Sequence, residues 1–428
     1  MSPATARFRR RATGPGVADG DFRRFWWAGT ADALGTQVSG LALPLLLLTL
    51  GTSPAVVGTV AGVSAGCGIL AGPFAAVLAD HGARRSVMVG AALVSAGAMA
   101  SAAVGVLLGD PPLWLLVAAV LVERTATSCQ EAASAGTVAA LVPPGRYPRA
   151  VSRLQAGEQA GLVVGPALGG ALFQLGRWLP FLADALSYLV SAFCVAAIRS
   201  DLGPRRDGVP EPCGEPAPAG GFAAAGRGFL RELVAGAGLV RREPFLRFVL
   251  LWSAVMSLLL AALSYGTIFT LRDAGAAGGP VGAVLAVAGA AGLAGALLAP
   301  RLARALPRAR LVIAVSWLMV VPTAGLGMTT RVWAYALLFG LISLLLPAAA
   351  VVLQSRAIEV TPQELQSRTG TVLGTATGLA AAAGPVAAGG LTGTAGTGGT
   401  ALCCAAVLAL LALWSTRRAP AVLRKESA

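Results

Sequence analysis

Stretches of about twenty predominantly apolar residues recur from end to end of this chain, separated by short arginine clusters. Twenty residues of helix rise about 30 Å, the thickness of a bilayer's hydrocarbon core. No water serves the peptide groups inside that core, so each stretch must satisfy its own backbone as a helix. Only 12% of the 428 residues are charged, against about 25% in soluble domains. With a mean hydropathy of +0.74, the chain has too few polar groups to clothe a surface facing water. It reads as an all-α membrane protein.

A ruler of about twenty residues places twelve transmembrane helices, at 25–49, 54–79, 87–109, 113–135, 153–175, 178–198, 245–270, 279–300, 310–329, 332–354, 369–391 and 399–416. The eleventh is built mainly of Ala, Gly and Thr, a composition suited to close packing against other helices. Arginine placement tests the count. With the N-terminus inside, the cytoplasmic segments should carry the basic residues. Of the 33 Lys and Arg residues, only Arg177, Arg272 and Arg331 fall outside and Arg124 lies within a helix. A miscounted helix would invert every later loop and erase that asymmetry. Both termini are therefore expected in the cytoplasm, with the chain in the inner (plasma) membrane.

The one long connection divides the spans six and six. The layout is a cytoplasmic tail over 1–24, a first bundle over 25–198, a linker over 199–244, a second bundle over 245–416 and a tail over 417–428. The tail before the first span is rich in Arg, Gly and Pro and lacks the apolar core of a cleaved signal. The linker begins Pro-rich. Its second part, Phe222 to Arg242, reads either as an amphipathic helix on the inner membrane surface or as a solvated helix.

Several functions are excluded by what the chain lacks. The net charge of +14 is spread through short loops, not along a basic stripe, which argues against nucleic acid. Lys425 is the sole lysine, so no GKS or GKT phosphate loop exists. His81 is the sole histidine, which disfavours metal sites, Ser-His-Asp catalysis and any cofactor held by histidine. The cysteines show no CxxC spacing, and five of the six sit in apolar runs as small hydrophobes.

Two motifs carry more specific information. After the second span runs Ala76-Val77-Leu78-Ala79-Asp80-His81-Gly82-Ala83-Arg84-Arg85. An acid followed by two arginines in a tight loop can form ion pairs that lock neighbouring helices. The fifth span holds Gly161-Leu-Val-Val-Gly165-Pro166-Ala-Leu-Gly169-Gly170. Glycines four apart permit close helix approach, and Pro166 removes a backbone donor. A looser Gly384-Pro385 lies in the eleventh span.

The first motif resembles the loop signature G-x-L-A-D-R-x-G-R-R of the major facilitator superfamily, keeping Leu78, Ala79, Asp80, Arg84 and Arg85. The second matches every fixed position of that family's antiporter signature, G-x-x-x-G-P-x-x-G-G. Phe22-Arg23-Arg24-Phe25-Trp26, Ala42-Leu43-Pro44, Thr52-Ser53-Pro54 and Leu141-Val142-Pro143-Pro144 resemble the branch of bacterial enterobactin exporters and macrolide efflux proteins. The resemblance implies the major facilitator fold, two pseudo-symmetric six-helix bundles with alternating access. It implies Asp80, Arg84 and Arg85 as a gating latch, and Gly161, Gly165, Pro166, Gly169 and Gly170 as an exporter's helix five.

Ionisable groups inside a bilayer are costly and so mark function by default. Here they concentrate in the first half: Asp32, Glu123, Arg124, Glu131, Glu158 and Asp184. Arg124, Ser128 and Glu131 share one face of the fourth helix, while Glu123, Thr127 and Gln130 share another. Arg124 resembles the buried arginine in helix four of proton-driven exporters. Asp32, Glu123, Arg124, Glu131 and Glu158 are the candidates for proton coupling. Glu131 reads equally as an ion-pair partner for Arg84 or Arg85. Asp184 is expected near the external mouth, where water could hydrate it. Gln37, Gln155, Gln159 and Asp184 are the candidate lining of a substrate cavity. Trp26 and Trp27 are expected as interfacial anchors.

The reading that follows is a monomeric secondary transporter with no cofactor or metal and with protons and the bilayer as partners. It would export an amphipathic small molecule, such as a drug, antibiotic or siderophore, by proton antiport. Proton-coupled nutrient uptake and a polytopic membrane enzyme are the alternatives.

Overall fold

The computed structural model describes residues 15–80, 84–109, 111–200, 202 and 221–423, and the architecture is that of these residues. They form helices and turns with no strand. The first half contributes α1 (Pro15–Thr49), α2 (Pro54–Asp80), α3 (Arg84–Leu107), α4 (Leu113–Ala135), α5 (Tyr147–Leu175) and α6 (Leu179–Ala196). The second contributes α7 (Pro244–Asp273), α8 (Gly278–Ala305), α9 (Arg308–Leu326, interrupted at Met319), α10 (Val332–Val360), α11 (Gln363–Gly396) and α12 (Gly398–Leu423). Between the halves, the linker helix Gly221–Arg242 packs its Gly236 against Arg368 and Val372 of α11.

Ten of these helices are long and apolar enough to cross a membrane. The other two expected spans are α4 and α5, 23 and 29 residues long. The first carries Glu123, Arg124 and Gln130 and the second Glu158, Gln159 and five glycines, so their hydropathy is lower. Several boundaries differ from expectation: α10 and α12 end later, at Val360 and Leu423, α11 begins earlier, at Gln363, and two helices of the first half also start early. Helix α1 begins at Pro15, not near 25, and α5 begins at Tyr147, not near 153. The apolar ruler measures only the embedded part of a helix, and both run past it through arginine-bearing turns.

The two halves repeat each other in detail. Helix α1 ends with Thr52 N–H on the Leu47 carbonyl and Gly51 N–H on Leu48. Helix α7 ends with Ala276 N–H on Leu271 and Gly275 N–H on Arg272. Both are Schellman caps, with Gly51 at φ 78° and Gly275 at φ 82°, the left-handed conformation that glycine alone adopts freely.

Contact between the halves follows the same two-fold pattern. Helix α5 packs on α1 within its own half and on α8 across the interface, while α11 packs on α7 and on α2. A side chain at Gly282 of α8 would strike the Pro166 carbonyl of α5, and one at Gly58 of α2 would strike that of Pro385 in α11. Four residues on, Gly170 meets Gly278 and Gly389 meets Pro54. The close approaches thus involve the first part of α2 and α8 and the last part of α5 and α11. They hold the halves together at the end away from the termini.

Replacing Gly58 or Gly282 with leucine should therefore overpack a backbone-to-backbone seam, costing about 1–3 kcal/mol. Each variant should unfold at a lower temperature in detergent than the wild type. Gly66→Leu, on α2 with open space at its Cα, should not.

Candidate functional site

Helix α4 supplies the centre of a buried polar network because helical spacing puts Glu123, Thr127 and Gln130 on one inward face. All three are buried. Glu123 Oε1 accepts a 2.6 Å hydrogen bond from the Tyr188 hydroxyl of α6 and a 3.0 Å bond from Thr127 Oγ1. Its other oxygen lies 3.8 Å from Arg124 Nε. Thr36 of α1 lies 3.2 Å from the same Tyr188 hydroxyl. About two turns along α4 from Glu123, the Gln130 amide donates at 3.3 Å to both Asp32 Oδ2 of α1 and Ser191 Oγ of α6. These groups form two clusters, each tying α4 to α1 and α6, with hydroxyls beside Glu123 and an amide beside Asp32.

Asp184 continues the α6 edge of the network. Its exposure is 0%, so it is not hydrated at an external mouth as expected. The cause is Gly35 of α1, where a side chain would collide with Ser187 Oγ and Asp184 Oδ1. The missing side chain lets α1 close over the carboxyl. Ser187 Oγ contacts Asp184 Oδ1 at 3.3 Å. Asp184 Oδ2 and Asp32 Oδ1 are buried without a hydrogen bond among the described residues. Asp184 is therefore part of the bundle interior and does not line an open cavity.

The second face of α4 turns elsewhere. Ser128 donates to the Gly68 carbonyl of α2 at 3.0 Å, and Arg124 runs beside the same glycine with 37% of its side chain exposed. Glu131, Glu158, Gln155 and Gln159 are exposed, and their side chains form no hydrogen bond or ion pair among the described residues. Glu131 thus does not pair with Arg84 or Arg85. Gln37 is half-buried, its Cβ held against Gly165.

The five motif positions of α5 serve two neighbours. Gly161, Gly165 and Gly169 face the α1 backbone at Ala33, Gln37 and Val38, whereas Pro166 and Gly170 face α8 at Gly282 and Gly278. All five are buried. Helix α11 shows the same division at Gly384, which faces Leu258 and Ala261 of α7, and at Pro385, which faces α2.

At the terminal end, Asp80 closes α2, but its side chain and residues 81–83 lie outside the described residues. The motif arginines engage backbone. The Arg84 guanidinium fills the space beside Gly136 after α4, and Arg85 Nη2 donates to the Ser200 carbonyl at 2.6 Å. Ser200 is also gripped by Asp21 of α1, fully buried, which accepts from the backbone N–H groups of Arg199 and Ser200, the Ser200 hydroxyl and Arg24. Residues Asp21, Arg85 and Ser200 thus tie the starts of α1 and α3 to the end of α6.

Tyr188 and Asp21 are the residues that sequence reasoning missed. Tyr188 falls four after Asp184, one turn along the same face, which was the available signal. Removing its hydroxyl leaves Glu123 short of its shortest hydrogen bond, a loss of about 1–3 kcal/mol for a buried group. Tyr188→Phe should lower the unfolding midpoint measurably, and Thr36→Val, on the far side of the hydroxyl, by less.

The description Major Facilitator Superfamily matches residues 25–329. No curated protein sequence matches. Among solved structures, a bacterial homologue of the human lysosomal transporter Spinster, inward-facing and unoccupied, is similar at TM-score 0.75 and 13% identity, over 97% of this chain and 99% of that one. The nucleoside transporter NupG is similar at TM-score 0.72 and 11% identity, over 93% and 99%. The human organic anion transporter TETRAN follows at TM-score 0.61 and 16% identity, over 93% and 99%. With most of its length matched by the family's model and the same fold throughout, this chain belongs to the major facilitator superfamily.

Proposed function

We propose that this transporter is a proton antiporter that exports an amphipathic small molecule, as the resemblance to the enterobactin and macrolide efflux branch suggested. One observation carries the reading: Glu123 and Asp32 each sit in a hydrogen-bonded cluster that ties α4 to α1 and α6, Glu123 through Tyr188 to Thr36 and Asp32 through Gln130 to Ser191. No counterpart with two acids occurs among the described residues of the second half. Glu123, beside two hydroxyls and the Arg124 guanidinium, and Asp32, beside an amide, can take up or release a proton as water access changes. Asp32 and Glu123 carry the proton, Arg124 competes for Glu123, and Tyr188 links Glu123 to Thr36 of α1. Glu131 and Glu158, exposed beyond the network, are accessory sites.

The seams support alternating access. The close contacts of α2 with α11 and α5 with α8 lie at the end away from the termini, which the arginine distribution assigns to the outside. The chain is thus closed outside. Pro166 lies in one seam and Pro385 in the other, positioned for one half to rock against the other, while Arg84, Arg85 and Asp80 act at the inner end. The substrate enters between the halves, where Gln37, Gln155 and Gln159 offer hydrogen bonds.

The test is efflux from proteoliposomes driven by an imposed pH gradient. Asp32→Asn with Glu123→Gln should cut gradient-driven transport more than tenfold, about 1.4 kcal/mol or more of coupling, while substrate exchange without a gradient continues. Undiminished gradient-driven efflux in the double variant would remove both residues from coupling. Accumulation of substrate in the opposite direction would make the protein an uptake symporter.

A further inference from the structure

A second site lies at the terminal end, away from the network. Between the start of α1 and the start of α5 is a cavity of about 1070 Å³. Four arginines line it, Arg23, Arg146, Arg149 and Arg153, against a single acid, Asp19. Asp19 meets Arg146 at 3.5 Å with both side chains mostly exposed, a weak pair in water. Arg23, Arg149 and Arg153 have no carboxylate partner among the described residues. The inner wall is apolar, formed by Phe22, Leu141 and Val142, which belong to one buried cluster. A ligand that fits must carry a compact anion on an apolar body.

Where the cavity sits narrows the ligand further. On α5, Arg149, Arg153 and Ala156 line it at helical spacing. That stripe is separate from the glycines that meet α1 and from Pro166 and Gly170, which meet α8. Trp26 forms one wall, its indole N–H donating to the Arg153 carbonyl at 2.8 Å and its ring meeting Trp27 at 4.8 Å. Trp27 and Tyr147 are exposed beside it. Exposed Trp and Tyr rings mark headgroup depth in a bilayer, and guanidinium groups bind phosphate oxygens in bidentate fashion.

We propose that this cavity is a binding site for an anionic phospholipid of the leaflet at the terminal end. The arginines hold the phosphodiester, and the acyl chains run along the apolar wall. The competing explanation is that these arginines only orient the chain during insertion, in which case they would show no selectivity between headgroups.

Purified full-length protein in nanodiscs distinguishes the two. Nanodiscs of phosphatidylcholine would receive a small fraction of brominated phosphatidylglycerol or brominated phosphatidylcholine, with tryptophan quenching as the readout. The anionic lipid should quench at about tenfold lower mole fraction. Arg149→Gln with Arg153→Gln should bring the two lipids within about twofold. Arg301→Gln with Arg304→Gln, arginines of the second half outside the cavity, should leave the preference intact. Arg149→Lys with Arg153→Lys keeps the charge and guards against a folding defect, and it should retain an intermediate preference. Equal quenching by both lipids in the wild type would overturn the proposal, as would an unchanged preference in the glutamine variant. Displacement of the brominated lipid by millimolar glycerol phosphate would also overturn it, assigning the cavity to a soluble anion.

Discussion

In lipid, apolar surface gains little by meeting more apolar surface, so helices hold together where their backbones can come close. That constraint organises this transporter. Several of its 55 glycines lie at the seams, where a Cβ would collide with a neighbouring carbonyl: Gly58 against Pro385, Gly282 against Pro166, Gly389 against Pro54. The halves meet through main chain at two seams related by the internal repeat. A seam of backbone without interlocking side chains is also one along which helices can slide.

The same device builds the polar site. Gly35 brings α1 over Asp184 and Ser187, and Gly161, Gly165 and Gly169 bring α5 against α1. Helix α1 is thus pressed from two sides, which delivers Thr36 to Tyr188 and Asp32 to Gln130. Buried carboxyl groups without charge partners would be prohibitive in the bilayer. Sharing hydroxyl and amide donors across three helices makes them tolerable while leaving Asp32 and Asp184 each with an oxygen unbonded among the described residues. The second half lacks that pair of acids and fills its interior with Trp252, Phe248 and Tyr335. The repeat keeps the seam geometry in both halves but places the buried acids in only one of them.

Much of this could be read in advance. Apolar length located the helices, since a bilayer imposes one dimension on every span. Hydropathy understated α1 and α5, because helical backbone continues through arginine-rich turns that a bilayer ruler treats as loop. Helical spacing correctly separated Glu123, Thr127 and Gln130 from Arg124, Ser128 and Glu131, since that separation is local geometry. Asp184 was expected to be hydrated and is sealed instead, because its exposure depends on how closely α1 approaches, and Gly35 permits that approach. Glu131 was offered Arg84 and Arg85 as partners, but these reach Gly136 and Ser200 instead.

The amino-acid sequence by itself determined that the chain lies in a membrane, how its helices are spaced along the chain and which residues share a helix face. These follow from hydropathy and the 3.6-residue turn, which act over short distances along the chain. Tertiary structure alone decided which faces meet. It put Tyr188 between Glu123 and Thr36, sealed Asp184 under α1, and shared one glycine-proline motif between a neighbour in the same half and a partner across the interface. Those pairings depend on where backbones approach within van der Waals contact, and that distance is a property of the packed bundle and of no single segment.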